Sequence, residues 1–262
     1  MLELNKIYNM DCVDGMKLLE NCSIDLTITS PPYDDLRKYK GYSFDFESVA
    51  KELYRITNVG GCVVWVVGDQ AINGDESGTS FKQALYFKEI GFKLFDTMIY
   101  QKANCPMRGN LNGYNQVFEY MFVLSKGKLR THNILYDREN KSFGTSGFTR
   151  HRDKNGNIEI QNFVQRKKMG RRYNIWIYGN GKGVTSKDYI AFKHPALFPE
   201  KLAEDHILSW SNKNDIILDP FMGVGTSAKM ALLNERNFIG FESSKEYCEI
   251  ANERLKLYGY EK

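Results

Sequence analysis

Short apolar runs alternate with amphipathic stretches through the first 125 residues, the rhythm of strands and crossover helices in a mostly parallel sheet. Strands are expected at Lys6 to Met10, Leu26 to Thr29, Cys62 to Val67, Leu94 to Gln101 and Phe118 to Ser125. Cys62 to Val67 is apolar without alternation, which suits a strand covered on both faces. Helices are expected over Asp14 to Leu19, Phe46 to Ile56 and Thr79 to Ile90, the last entered from a Gly74 to Gly78 loop and stopped at Gly91.

From Lys126 to Lys193 the pattern breaks into Gly, Asn, Lys and Arg with no long period, which predicts an insert of short strands and loops. Periodicity then returns. A helix is expected from Pro199 to Ser211, a strand at Ile216 to Leu218, a helix over Thr226 to Leu233, a strand at Phe238 to Phe241 and a last helix from Lys245 to Leu257. The expected organisation is one α/β domain in two halves, 1–125 and 194–262, separated by an insert at 126–193. A length of 262 residues suits one such core with one added lobe.

Charge changes the picture of the insert. The chain as a whole carries +4, but Lys126 to Lys193 holds 16 Lys/Arg against 5 Asp/Glu, a net +11, and the remainder is −7. Phe143, Phe148, Phe163, Tyr173, Trp176 and Tyr178 are interleaved with the basic residues. Cations that neutralise phosphates beside rings that support bases point to a nucleic acid as partner over a merely solvated face. Arg166, Lys167, Lys168, Arg171 and Arg172 are the candidate DNA-binding residues.

No apolar run approaches the ~20 residues that span a bilayer. Met1 to Asn9 lacks a basic stretch followed by a long apolar one, so no signal peptide is expected and the chain is placed in the cytoplasm. Cys12, Cys22, Cys62, Cys105 and Cys248 form no Cys-x-x-Cys pair, which argues for reduced thiols and against a zinc site. No metal is expected.

Two motifs carry the chemistry. Asp219-Pro220-Phe221-Met222-Gly223-Val224-Gly225-Thr226 follows a strand and opens a helix, where a nucleotide-like ligand meets the carboxyl end of a parallel sheet. Gly223 and Gly225 let the backbone come close to a ligand. Glu242, at the end of the next strand, is placed to accept ribose hydroxyls. A phosphate-binding loop would tolerate Asp219 poorly, so a cationic ligand is expected.

The second motif, Thr29-Ser30-Pro31-Pro32-Tyr33, ends an apolar strand at a rigid turn, because two prolines donate no ladder hydrogen bonds. Acceptors fixed there can take the hydrogens of an exocyclic base amine and favour the pyramidal nitrogen that attacks a sulfonium methyl. Ser30 Oγ and the Pro31 carbonyl are the candidate acceptors, with Tyr33 stacking on a flipped base.

Together these motifs resemble the amino-methyltransferases of bacterial restriction-modification systems and phages, in the permuted (beta-class) arrangement where the catalytic motif precedes the cofactor loop. Thr29 to Tyr33 is similar to the family's Ser-Pro-Pro-Tyr motif, and Asp219 to Thr226 to its Asp-Pro-Phe-x-Gly-x-Gly-Thr loop. His194 to Leu202 is similar to the segment around the methionine end of the cofactor. Asp11-Cys12 matches the acidic position near the adenine, and Asn174-Ile175-Trp176 the Trp that precedes the His-Pro element.

The resemblance implies a Rossmann-like methyltransferase fold with a mostly parallel seven-stranded sheet, helices on both faces, and S-adenosylmethionine as cofactor. It implies Ser30, Pro31, Pro32 and Tyr33 as catalytic residues. For the cofactor it implies Asp11, Cys12, Thr29, His194, Pro195, Phe198, Pro199, Asp219, Pro220, Phe221, Gly223, Gly225, Thr226 and Glu242. The insert falls where the family carries its target-recognition region, so the expected partner is double-stranded DNA.

Ser in the first position favours cytosine N4 as target, with adenine N6 as the alternative. Cytosine C5 chemistry is disfavoured because no Pro-Cys occurs. An RNA amino-methyltransferase and a catalytically silent nucleic-acid-binding protein are the other readings. A restriction endonuclease partner is expected as a separate chain, and a homodimer is left open.

Overall fold

The computed structural model describes residues 2–32, 45–104 and 114–260. Its elements begin β1 Lys6–Asn9, α1 Cys12–Lys17, β2 Ile24–Thr29, α2 Phe46–Ile56, β3 Thr57–Val67, the two-residue strands β4 Ala71–Ile72 and β5 Asp75–Glu76, and α3 Thr79–Glu89. They continue with β6 Lys93–Lys102, β7 Phe118–Ser125, β8 Arg138–Glu139, β9 Ser146–Arg152, β10 Ile158–Gln165, β11 Met169–Gly170 and β12 Ile175–Tyr178. The last are α4 Glu200–Trp210, β13 Ile216–Asp219, α5 Thr226–Leu233, β14 Asn237–Glu242 and α6 Lys245–Lys256.

Among the described residues eight strands form one sheet in the order β1-β14-β13-β2-β3-β7-β6-β12. Every neighbouring pair is parallel except those made by β7, which runs against β3 and β6. β13 lies directly beside β2, with Leu218 opposite Thr27. Two stretches almost 200 residues apart in the chain therefore end side by side at the carboxyl edge of the sheet.

The core explains the order. Val63, Trp65 and Val67 on β3 and Phe122 and Leu124 on β7 are buried with Val49, Leu53 and Ile56 of α2 and Phe87 of α3. The Trp65 indole N–H donates to Gln83 Oε1 of α3 at 2.8 Å, so the largest core side chain leaves no polar atom unpaired. On the other face, α4 packs His206 against the Trp176 ring of β12, centroids 4.5 Å apart. Among the described residues no helix is long and apolar enough to cross a membrane.

The structure corrects the expected sheet from seven strands to eight. β12 is the addition, paired parallel to β6 with Trp176 opposite Tyr100. By compactness the chain divides into a small unit, Ile134–Tyr173, and a large one that takes in 126–133 and 174–193. The cause is local: Lys126 Nζ donates to the backbone carbonyls of Tyr54 and Thr57, and Asn133 Nδ2 to those of Leu208 and Ser211.

Candidate active site

Thr29 is the last residue of β2 and Asp219 the last of β13. Because these strands are neighbours, the Thr29 hydroxyl reaches Asp219 Oδ1 and donates to it at 2.6 Å. The same oxygen accepts from Phe221 N at 3.0 Å, and Oδ2 accepts from Ser227 Oγ at 2.6 Å. These bonds fold the loop after β13 back over its own strand end. Burial pushes the Asp219 carboxyl up to about 6, against the pull of its donors Ser227, Thr29 and Phe221.

Gly223 and Gly225 sit at φ of +53° and +79°, torsions that carry a steric cost for a residue with a Cβ. Gly225 caps α5. A Cβ at position 225 would lie 3.1 Å from Ala251 Cβ, whereas one at position 223 would point toward His194 Nε2 at 3.5 Å. The first glycine thus opens the loop surface under His194, and the second allows α6 to pack close.

Glu242 closes the opposite side. Its Oε2 accepts from Gly223 N at 2.8 Å and its Oε1 from Ser244 N at 2.8 Å. Burial raises its carboxyl despite these backbone donors. Asp11 follows β1, next to β14, and caps α1 by accepting from Val13 N at 2.8 Å. Cys12 is buried beneath it.

His194 ends a short helical turn, Tyr189–Lys193, and its ring stands edge-on to Tyr247 of α6 with centroids 4.5 Å apart. Pro195 is exposed, Phe198 half-buried, and Pro199 is the buried N-cap of α4. Pro220 is buried and Phe221 half-buried against Trp65. Ser30 and Pro32 are half-buried and Pro31 buried, directly after Thr29. Tyr33 and Cys105 lie outside the described residues. Among the described residues no disulfide joins Cys12, Cys22, Cys62 or Cys248.

Asp11, Glu242, Asp219 and Thr29 stand in turn at the carboxyl ends of β1, β14, β13 and β2, the edge where open α/β sheets take their ligands. A family model described as DNA methylase, N6_N4_Mtase, matches residues 24–253. The chain belongs to the N6/N4 DNA methylase family.

This DNA methylase is 59% identical over 241 residues to the orphan methyltransferase M.BamHII of Bacillus amyloliquefaciens, with 91% of each chain covered. Its fold is shared by the PvuII DNA methyltransferase, described as cytosine-N4-specific, at a TM-score of 0.70 and 19% identity over 94% of this chain and 84% of that one. It is shared also by M1.HpyAVI in its SAM complex, at a TM-score of 0.62 and 25% identity over 95% of this chain and 98% of that one.

One feature of the methylase escaped the sequence. Arg254 of α6 is fully buried and donates through Nε to Asp188 at 2.6 Å, and through Nη1 to the Val224 carbonyl and Thr226 Oγ1 at 3.0 Å each. Its Nη2 pairs with Glu200 and donates to Ser186 Oγ. Lys229 of α5 joins the same two acids, at 2.8 Å from Asp188 and 2.7 Å from Glu200. Although burial opposes ionisation of Asp188, hydrogen bonds from Arg254, Lys229 and Tyr258 bring its carboxyl down to about 2.

This two-cation, two-anion cluster ties the glycine loop to the segment on which His194 and Pro199 stand. It also shows that the Thr226 hydroxyl faces Arg254. The signal in the sequence was a charge on an apolar stripe: Arg254 lies three residues after Ala251 and six after Cys248, both buried.

The candidate DNA-binding residues lie in the Ile134–Tyr173 unit. Arg166, Lys167, Lys168 and Arg171 are exposed. Arg172 is turned onto Asp137, with Nε at 3.0 and 2.9 Å from its two oxygens.

Proposed function

We propose that this methylase transfers the methyl group of S-adenosylmethionine to the exocyclic amine of a DNA base, cytosine N4 being the target. The supporting observation is the Thr29–Asp219 hydrogen bond, which makes the Pro-Pro turn and the glycine loop parts of one site. S-adenosylmethionine, when bound, supplies a methyl group on a positively charged sulfur.

The residues present fit such a ligand. Asp219 and Glu242 bring carboxylates to a site for a cation and a ribose, and Gly223 leaves room under His194 that a Cβ would enter. Asp219, Gly223 and His194 would hold the methionine end, Glu242 the ribose and Asp11 the neighbourhood of the adenine. Ser30 Oγ and the Pro31 carbonyl accept the hydrogens of the base amine, keep its lone pair on nitrogen and so orient it for attack. Phe221, half-buried beside the glycine loop, stands edge-on to Trp65 and seats the loop against the core.

Ser30 is the reason for preferring cytosine, and adenine N6 is the second reading, because both bases present the same amine to the same acceptors. The relative at 59% identity is named an orphan methyltransferase, which supports a solitary enzyme over one paired with a nuclease. The Ile134–Tyr173 unit is the target-recognition element in this reading.

The deciding experiment is to methylate DNA with isotopically labelled S-adenosylmethionine, digest it to nucleosides and weigh the labelled product. N4-methylcytosine is expected. Label in N6-methyladenine moves the target, and no label in any nucleoside removes the function.

A further inference from the structure

Residues 134–173 carry ten Lys/Arg against four Asp/Glu. Within them β9 and β10 form a two-stranded antiparallel ribbon with Ile158 opposite Arg152, Ile160 opposite Arg150 and Phe163 opposite Phe148. Residues directly opposite share a face, so these six side chains line one side of the ribbon. Simple alternation would put Phe163 on the other side from Ile160. The bulge between them turns it back.

That face is open. Phe148, Ile158, Ile160 and Phe163 are each between 56% and 67% exposed, and the two phenylalanine rings meet edge-on at 5.5 Å. The turn is firm: Asp153 Oδ1 accepts from Asn155 N and Asn157 N, both at 2.8 Å. A two-stranded ribbon is marginal alone in water, so four exposed apolar side chains on one face call for a surface to cover them.

We propose that this face of the ribbon enters a groove of double-stranded DNA. Arg150 and Arg152 neutralise phosphates, and Phe148, Ile158, Ile160 and Phe163 lie against base edges. The major groove is about 12 Å wide and admits a two-stranded ribbon, and its thymine methyls are apolar partners for Phe and Ile. Charge selects this occupant over a second copy of the chain, since another copy of the unit would bring the same net +6 against it. The inference rests on the DNA methyltransferase reading and moves base contact away from Arg172, which is held by Asp137.

The test measures binding of the full chain to a generic duplex across a salt series, and to duplexes with the methylated sequence or a scrambled one. Arg150→Gln with Arg152→Gln is expected to lower the slope of log affinity on log salt by about two, while Arg150→Lys with Arg152→Lys keeps it. Phe148→Ser with Phe163→Ser is expected to reduce the preference for the methylated sequence on the order of tenfold and leave the slope alone. S-adenosylmethionine affinity stays at the wild-type value in all three, which reports an intact large unit.

An unchanged slope in the glutamine variant overturns the inference, and so does an unchanged preference in the serine variant. A wild-type dimer in sedimentation that the serine variant dissociates also overturns it, by giving the face to a second copy. If the wild-type protein methylates no DNA, it is the methyltransferase reading that fails, and the salt slopes on the generic duplex still judge the ribbon. The arginine changes are on exposed positions and leave the fold in place, so this arm reads the ribbon even if the serine variant unravels.

Discussion

The Thr29 hydroxyl donates to the Asp219 carboxylate at 2.6 Å across 190 positions of sequence. This buried bond joins the strand that ends in the Pro-Pro turn to the strand that ends in the glycine loop. It also bears on charge. Asp219 has three donors and still titrates at about 6, because loss of hydration outweighs them, so each donor matters to whether the carboxylate is ionised near neutrality.

A pH dependence of cofactor affinity follows. In the free protein Asp219 takes up a proton as pH falls through about 6. A cationic ligand favours the ionised form, so affinity for S-adenosylmethionine is full above that pH and falls by up to about tenfold per unit below it. Thr29→Val removes a donor to the charged form and moves the midpoint upward by about one unit. Calorimetry between pH 5 and 8 on both proteins reads the two midpoints. Equal midpoints would remove Thr29 from the control of Asp219.

In the proposed function Ser30 meets the other reactant, the base. Ser30→Ala is expected to lower the single-turnover rate by about 10² to 10³, the usual cost of one lost electrostatic contact in a transition state. Affinity for S-adenosylmethionine stays within error of wild type. A matching loss of cofactor affinity would place Ser30 on the cofactor side of the site.

Both motifs were legible because they interrupt a local pattern. Pro31-Pro32 cannot continue β2, and Gly223 and Gly225, two residues apart, disfavour a helix interior. Their adjacency is not legible in local pattern, since nothing between residues 30 and 218 announces that β2 and β13 pair. The sequence alone places β12 within the insert, for a physical reason. Its four residues alternate, with Ile175 and Ile177 exposed, and Gly179, Gly181 and Gly183 follow. What makes it a strand is its pairing with β6, some 75 residues earlier. Asp188 is illegible in the same way, an ordinary charge until the fold brings it to Arg254, whose place on the apolar stripe of α6 is the one sign of the cluster in the sequence.

Their cluster supports a third prediction. Arg254→Met leaves Lys229 as the remaining cation of the cluster beside Asp188 and Glu200 and removes the donor to the Val224 carbonyl, a change expected to cost about 3–5 kcal/mol, as for other broken buried ion pairs. Arg254→Lys restores the charge but cannot span Asp188, Glu200, Ser186, Val224 and Thr226 at once, so it falls between. Cofactor affinity drops in the same order, because the glycine loop loses its anchor. Denaturant melts and calorimetry check both. A methionine variant as stable as wild type would show that the cluster's hydration cost cancels its attraction.

The two glycines of the loop separate packing from ligand approach. Gly223→Ala and Gly225→Ala each place a Cβ at positive φ, which costs roughly 1–2 kcal/mol of strain. At 225 the new methyl also presses on Ala251 at 3.1 Å, so α6 must give way. At 223 the nearest atom is His194 Nε2 at 3.5 Å, an ordinary contact, and the methyl enters the space over the loop. Gly225→Ala is therefore expected to lose more stability, and Gly223→Ala more cofactor affinity for the stability it loses. Melting temperature and S-adenosylmethionine affinity, measured on both, test the contrast. If affinity falls in proportion to stability in the two variants alike, Gly223 serves the turn and not the ligand.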